Sequence, residues 1–90
     1  MKIKINNKYG IKSDNYQYML CELYEEENDE GKTEEKFRPL RYYPKLRQLF
    51  ENYVDFRLKT EPNITELNEV IELEKELRKE IGDIKRKLDI

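Results

Sequence analysis

An α+β fold is predicted for this chain: a small antiparallel sheet of three to four strands, followed by two α-helices, the last long and partly coiled-coil-like. Three observations predict it. The first 24 residues alternate with period two between turn dipeptides. Residues 46–58 and 64–88 switch to a 3.6-residue period. Between the two regimes stands Pro44, which halts a strand and suits the first turn of a helix. Ninety residues make a single domain, 1–90, and a chain of this size buries only about 60–65% of its unfolded surface.

The elements follow in order. Lys2-Ile3-Lys4-Ile5 is a strand, and Asn6-Asn7 predicts a two-residue hairpin into Lys8–Lys12. Ile3, Ile5, Tyr9 and Ile11 then share the core face. Ser13-Asp14-Asn15 is a second turn. Residues 16–24 form the longest strand, with Tyr16, Tyr18 and Leu20 on one face and Met19, Cys21 and Leu23 on the other. Apolar residues on both faces predict a central position. Residues 25–35 carry no apolar side chain and read as an acidic hairpin loop. Lys36–Tyr43 returns as a strand that Pro39 confines to an edge or a bulge, completing a sheet over 1–43.

The first helix is expected over 44–60, with Leu46, Leu49, Phe50, Tyr53 and Val54 on one stripe. Arg57 falls near the middle of that stripe, where it either snorkels or meets a carboxylate of the last helix or of a partner. Asn63 and Glu66 read as a capping box for a helix over 64–88, about 37 Å long. Its Leu67, Val70, Leu77, Ile81, Ile84 and Leu88 keep the spacing of a coiled-coil seam, broken only at Glu74. Ile71 and Leu73 widen the seam in the first half, whereas Arg78, Glu80, Lys85 and Lys87 flank it in the second. The expectation is that the first half packs on the domain. Leu77, Ile81, Ile84 and Leu88 are left to pair with a partner, and a homodimer through this helix is one outcome.

Composition narrows the function. Charged residues make up 42% of the chain, yet the net charge is only −2. The charge is unevenly spread, with seven acids against Lys32 in residues 25–35, a local sum of −6. There is no histidine, Ser13 is the only serine, and Cys21 sits in an apolar strand, so no catalytic constellation is legible and a non-enzyme is expected. No cofactor is implied. Aligning Gly31 with the sixth position of a calcium loop puts Phe37 where a bidentate glutamate belongs, so the acidic run reads as a solvated loop. Glu25, Glu26, Glu27, Asp29 and Glu30 are its candidate binding residues. The lone cysteine and the absence of a leader or a membrane-spanning run predict a cytoplasmic protein with no membrane contact.

A second candidate surface is basic. Lys36, Arg38, Arg41, Lys45 and Arg47 surround Tyr42 and Tyr43, a mixture that on a sheet holds a phosphate backbone and stacks bases. The competing account makes these cations, with Lys2, Lys4, Lys8 and Lys12, the polar face of amphipathic strands and a guard against edge aggregation.

The order of these features resembles a group of short uncharacterised proteins from phages and prophages of Gram-positive bacteria. The similarity is carried by Lys2-Ile3-Lys4-Ile5-Asn6-Asn7-Lys8-Tyr9, by Ser13-Asp14 with Tyr16-Gln17-Tyr18-Met19-Leu20, and by Leu40, Tyr42-Tyr43-Pro44 and Leu46. It covers most of residues 1–70 and implies a mobile-element setting rather than an activity. The function expected is therefore a non-enzymatic interaction protein that binds a host or phage protein, including inhibition of a defence system such as a nuclease or CRISPR effector. The alternative is a sheet-based nucleic-acid-binding accessory protein of phage replication or regulation.

Overall fold

Four antiparallel strands precede two helices, as the sequence predicts. The computed structural model describes residues 1–89. The elements are β1 (Lys2–Lys4), β2 (Tyr9–Ser13), β3 (Tyr18–Glu27), β4 (Thr33–Tyr43), α1 (Leu46–Thr60) and α2 (Leu67–Leu88). The strands form a meander in the order β1-β2-β3-β4. Two compact units are distinguishable within the chain, Met1–Leu49 and the residues from Phe50 on.

In the first unit two sequence signals compete at the first turn. A two-residue Asn6-Asn7 hairpin would set Ile3 opposite Gly10. The structure instead pairs Ile3 with Ile11 and Lys4 with Gly10. The turn is one residue longer, closed by the Ile5 N–H donating to the Tyr9 carbonyl at 2.9 Å. Asn6 Oδ1 accepts from the N–H groups of Lys8 and Tyr9 at 2.8 and 2.9 Å. A one-residue slip would turn every side chain of a strand to the wrong face, so apolar matching decides the register over the turn dipeptide.

The second turn also replaces predicted strand. Asp14 Oδ1 accepts from the N–H groups of Tyr16 and Gln17 at 2.8 and 2.9 Å, and β3 starts only at Tyr18. Those two bonds hold the Asp14 carboxyl below its ordinary value. Tyr16, expected on a strand face, is 88% exposed.

Residues directly opposite one another across a ladder share a face. One face carries Tyr9, Ile11 and Leu20, all buried, with Ile3 and Tyr43 half-buried beside them. The other carries Met19, Cys21 and Leu23, also buried, among Lys2, Lys4, Lys12, Phe37 and Tyr42. Burial of Cys21 pushes its thiol up. β3 is thus a central strand apolar on both sides.

Pro39 sits where its missing N–H does least harm. β4 is an edge strand, and its ladder with β3 steps from Leu20–Arg41 to Cys21–Pro39, leaving Leu40 as an extra, bulged residue. Proline, the bulge and the cations of β4 together discourage a further strand from adding there.

Gly10 is required by a close approach. A Cβ at this position would overlap the Phe37 ring and lie 2.9 Å from the Ile3 carbonyl oxygen. Gly10→Ala is therefore expected to lower stability by about 1–3 kcal/mol. Urea melts check this, and adding Phe37→Ala should recover part of the loss.

The second unit is a helical hairpin. Tyr53 reaches Glu80 and Phe50 lies under Lys85, so the two helices run antiparallel. Its buried residues are Phe50, Tyr53 and Val54 from α1 with Leu77, Ile81 and Ile84 from α2. α1 starts two residues later than expected: Gln48 Oε1 accepts the Lys45 N–H at 3.2 Å, closing the first turn. α2 starts three residues later, with an extended Glu66 at its N-cap and no side-chain cap, so the expected Asn63–Glu66 capping box does not form. Glu74 engages Arg78 at 2.9 Å, and Asp83 pairs with Arg86.

The seam expectation is corrected here. Leu77, Ile81 and Ile84 are 1%, 8% and 2% exposed in the single chain, and Leu88 is half-buried. They do not form an open stripe awaiting a partner. The exposed apolar residues of α2 are instead Leu67, at 73%, and Ile71, at 45%, in the half expected to be covered.

Candidate interaction surface

The acidic segment is built as a ribbon rather than a loop. β3 and β4 continue as a two-stranded hairpin through Glu25–Glu35, Glu26–Glu34 and Glu27–Thr33. Only Asn28–Lys32 turns the chain. The Gly31 N–H donates to the Asn28 carbonyl at 3.0 Å, and Gly31 takes the left-handed φ of 77° that a three-residue hairpin needs. Asn28 Oδ1 accepts from the N–H groups of Glu30 and Lys32, both at 3.0 Å, and its amide donates to Glu34 at 3.1 Å. An uncharged side chain thus fixes the tip of a charged ribbon.

This register sets two pairs of carboxylates directly opposite one another, an arrangement that opposes strand pairing. Two lysines offset it in part. Lys4 meets Glu35 at 3.1 Å and Lys36 meets Glu34 at 3.0 Å. The Asn28 amide, then Lys36, holds the Glu34 carboxyl below its ordinary value, and Glu34 raises Lys36 in return. Both bridges are solvent-exposed and therefore weak. Glu25, Glu26, Glu27, Asp29 and Glu30 are all exposed.

The basic patch is not assembled as one surface. By register Lys36, Arg38, Arg41 and Tyr43 lie on one face, and Tyr42 lies on the other, beside Met19. The Leu40 bulge is what places Arg38 and Arg41 on the same side. These cations are also engaged within the chain: Arg38 stacks on the Tyr24 ring at 4.5 Å, and Arg41 donates to the Leu40 carbonyl at 2.8 Å. Burial pushes the Tyr43 phenol up. Lys45 and Arg47 are exposed at the start of α1, past the last paired residue.

Sequence reasoning missed a row that crosses the whole sheet: Lys2, Lys12, Met19 and Tyr42. The period-two lysines were its only signal, because the row exists only once the register is known. Arg57 finds its partners inside the hairpin. It donates to Tyr53 Oη at 2.8 Å, and that hydroxyl donates to Glu80 at 2.8 Å. Burial, then the bond to Glu80, raises the Tyr53 phenol far above its ordinary value.

Beside α2 an open groove of about 350 Å³ is lined by Glu61, Glu69, Glu72 and Glu76 over Ile64 and Leu73, a second acidic surface. Among the described residues no group of three His, Cys, Asp or Glu is arranged to hold a metal ion, and no helix is long and apolar enough to cross a membrane. Comparison with protein-family models, with curated proteins and with solved structures returned no match.

Proposed function

We propose that this chain is a non-enzymatic, phage- or prophage-encoded interaction protein whose acidic ribbon holds a basic surface of a host or phage protein. The observation that carries the reading is the opposition of Glu25 to Glu35 and of Glu26 to Glu34 on an ordered hairpin. Such a ribbon stores like-charge repulsion that a cationic partner relieves, and it costs little further ordering on binding. A protein that grips nucleic acid, such as a defence nuclease, presents a surface of the required sign.

The test separates binding from folding. Glu25→Gln with Glu26→Gln is expected to leave the fold intact and to stabilise it by a few tenths of a kcal/mol, since like charges no longer face each other. The wild-type chain, immobilised, should retain specific basic proteins from bacterial lysate, and the double variant should release them at markedly lower salt. Identical retention by both chains would sink the reading.

A further inference from the structure

We propose that the lysine-bearing face of the sheet binds a second copy of the chain. This face is charged in opposite senses at its two ends. At one end the row Lys2–Lys12–Met19–Tyr42 crosses the four strands, and at the other Glu25 faces Glu35 and Glu27 faces Thr33. Cys21, Leu23, Phe37 and Pro39 lie between them. Cys21 and Leu23 are buried, Phe37 and Pro39 are half-buried, and Tyr42, at the lysine end, is 55% exposed, so the apolar area offered comes from Phe37, Pro39 and Tyr42 along β4.

Within one molecule the two ends cannot neutralise each other. Met19 and Glu25 are six residues apart on β3, about 20 Å along a strand, which exceeds two Debye lengths at physiological salt. Lys4, midway along, reaches an acid of this face, Glu35. Lys2 stacks on the Phe37 ring at 5.1 Å instead. A second copy resolves the imbalance. Rotation about a two-fold axis in the plane of the face, diagonal to the strands, lays each lysine corner on the other copy's acidic ribbon and Phe37 and Pro39 on their counterparts. The face is four strands wide only along the three residues of β1 and two strands wide along the ribbon, so it offers roughly 400 Å² per copy, about 800 Å² in all, the size of a weak, transient interface. The dimer is accordingly weak, with a dissociation constant on the order of micromolar. It shares Glu25 and Glu35 with the ribbon's other partner and leaves Glu26 and Glu34 on the opposite face.

Sedimentation of the full chain between about 5 and 200 µM tests this. A monomer–dimer equilibrium is expected, weakening at least tenfold when salt is raised from about 0.05 to 0.5 M. Lys2→Glu with Lys12→Glu should give a monomer, and so should Glu25→Lys with Glu27→Lys. All four together should restore the dimer, with circular dichroism confirming that each variant folds. A monomeric wild type overturns the proposal, as does a folded fourfold variant that stays monomeric. If the wild type is monomeric and retains a single-stranded oligonucleotide that the lysine variant loses, the corner belongs to a polyanion and the proposal is likewise overturned. Failure here is distinguishable from failure of the ribbon reading, since that reading is scored by retention of lysate proteins on the immobilised chain and can be repeated with Glu26→Gln alone, which lies on the opposite face.

Discussion

Ile84→Glu is expected to unfold the helical hairpin rather than to release a folded monomer. Ile84 is 2% exposed, and burying it contributes about 2–3 kcal/mol. A carboxylate in its place adds the cost of desolvating a charge, which the group meets in part by taking up a proton. Together the change removes on the order of 4–5 kcal/mol, a large part of what a chain of ninety residues has. At roughly 4–8 °C per kcal/mol, the melting temperature should fall by about 15 °C or more. Thermal melts followed by circular dichroism read this directly, and Lys87→Glu, exposed on the same helix, is the control that should change little. A variant that keeps the wild-type melt and merely sediments as a smaller species would reinstate the open-seam expectation.

Tyr53→Phe is expected to lower stability by about 2 kcal/mol at neutral pH and to flatten the alkaline side of the stability profile. The substitution removes the hydroxyl that accepts from Arg57 and donates to Glu80, at the centre of the hairpin. The pH effect follows from the same hydroxyl. Its folded-state pKa is raised, so above about pH 10 the unfolded chain has released a proton that the folded chain keeps. The contribution is whole below that pH and is lost as pH rises, at up to about 1.4 kcal/mol per pH unit. Cys21 and Tyr43, both raised by burial, act in the same direction and remain in the variant. Urea titrations between neutral pH and about pH 12 should therefore show a shallower alkaline slope for Tyr53→Phe. Parallel profiles for the two chains would mean that the phenol is not held neutral by the fold.

The acidic segment shows where local reading stops. A run of glutamates with low strand propensity reads as a loop, yet the Asn28–Gly31 turn and the β3–β4 ladder carry strand through it to Glu27 and Thr33. Backbone pairing does not depend on side-chain polarity, so the charge pattern located the surface but not its geometry. The basic patch failed in the opposite way. Lys36, Arg38, Arg41, Tyr42 and Tyr43 are close in sequence, but the pleat separates Tyr42 from the rest and ion pairs or ring contacts occupy Lys36 and Arg38. Proximity along a strand says little until the faces are assigned.

The long helix divides in the same fashion. Its existence, its C-terminal end at Leu88 and its Glu74–Arg78 pair follow from periodicity alone, because helical spacing is a local property. Which half would be covered was inverted. Flank width suggested that the first half packs and the second is free, whereas Leu77, Ile81 and Ile84 are buried and Leu67 is exposed.

By itself the sequence determined the kinds of element and their order, the central place of β3, the marginal place of the Pro39 strand, and the position of the acidic segment. Each of these rests on periods, turn residues and backbone constraints that act over a few neighbours. Only the tertiary structure decided the register of β1 on β2, the face on which each cation stands, and the end of α2 that is buried. Those depend on pairing between residues far apart in the chain, where a shift of one position exchanges inside for outside.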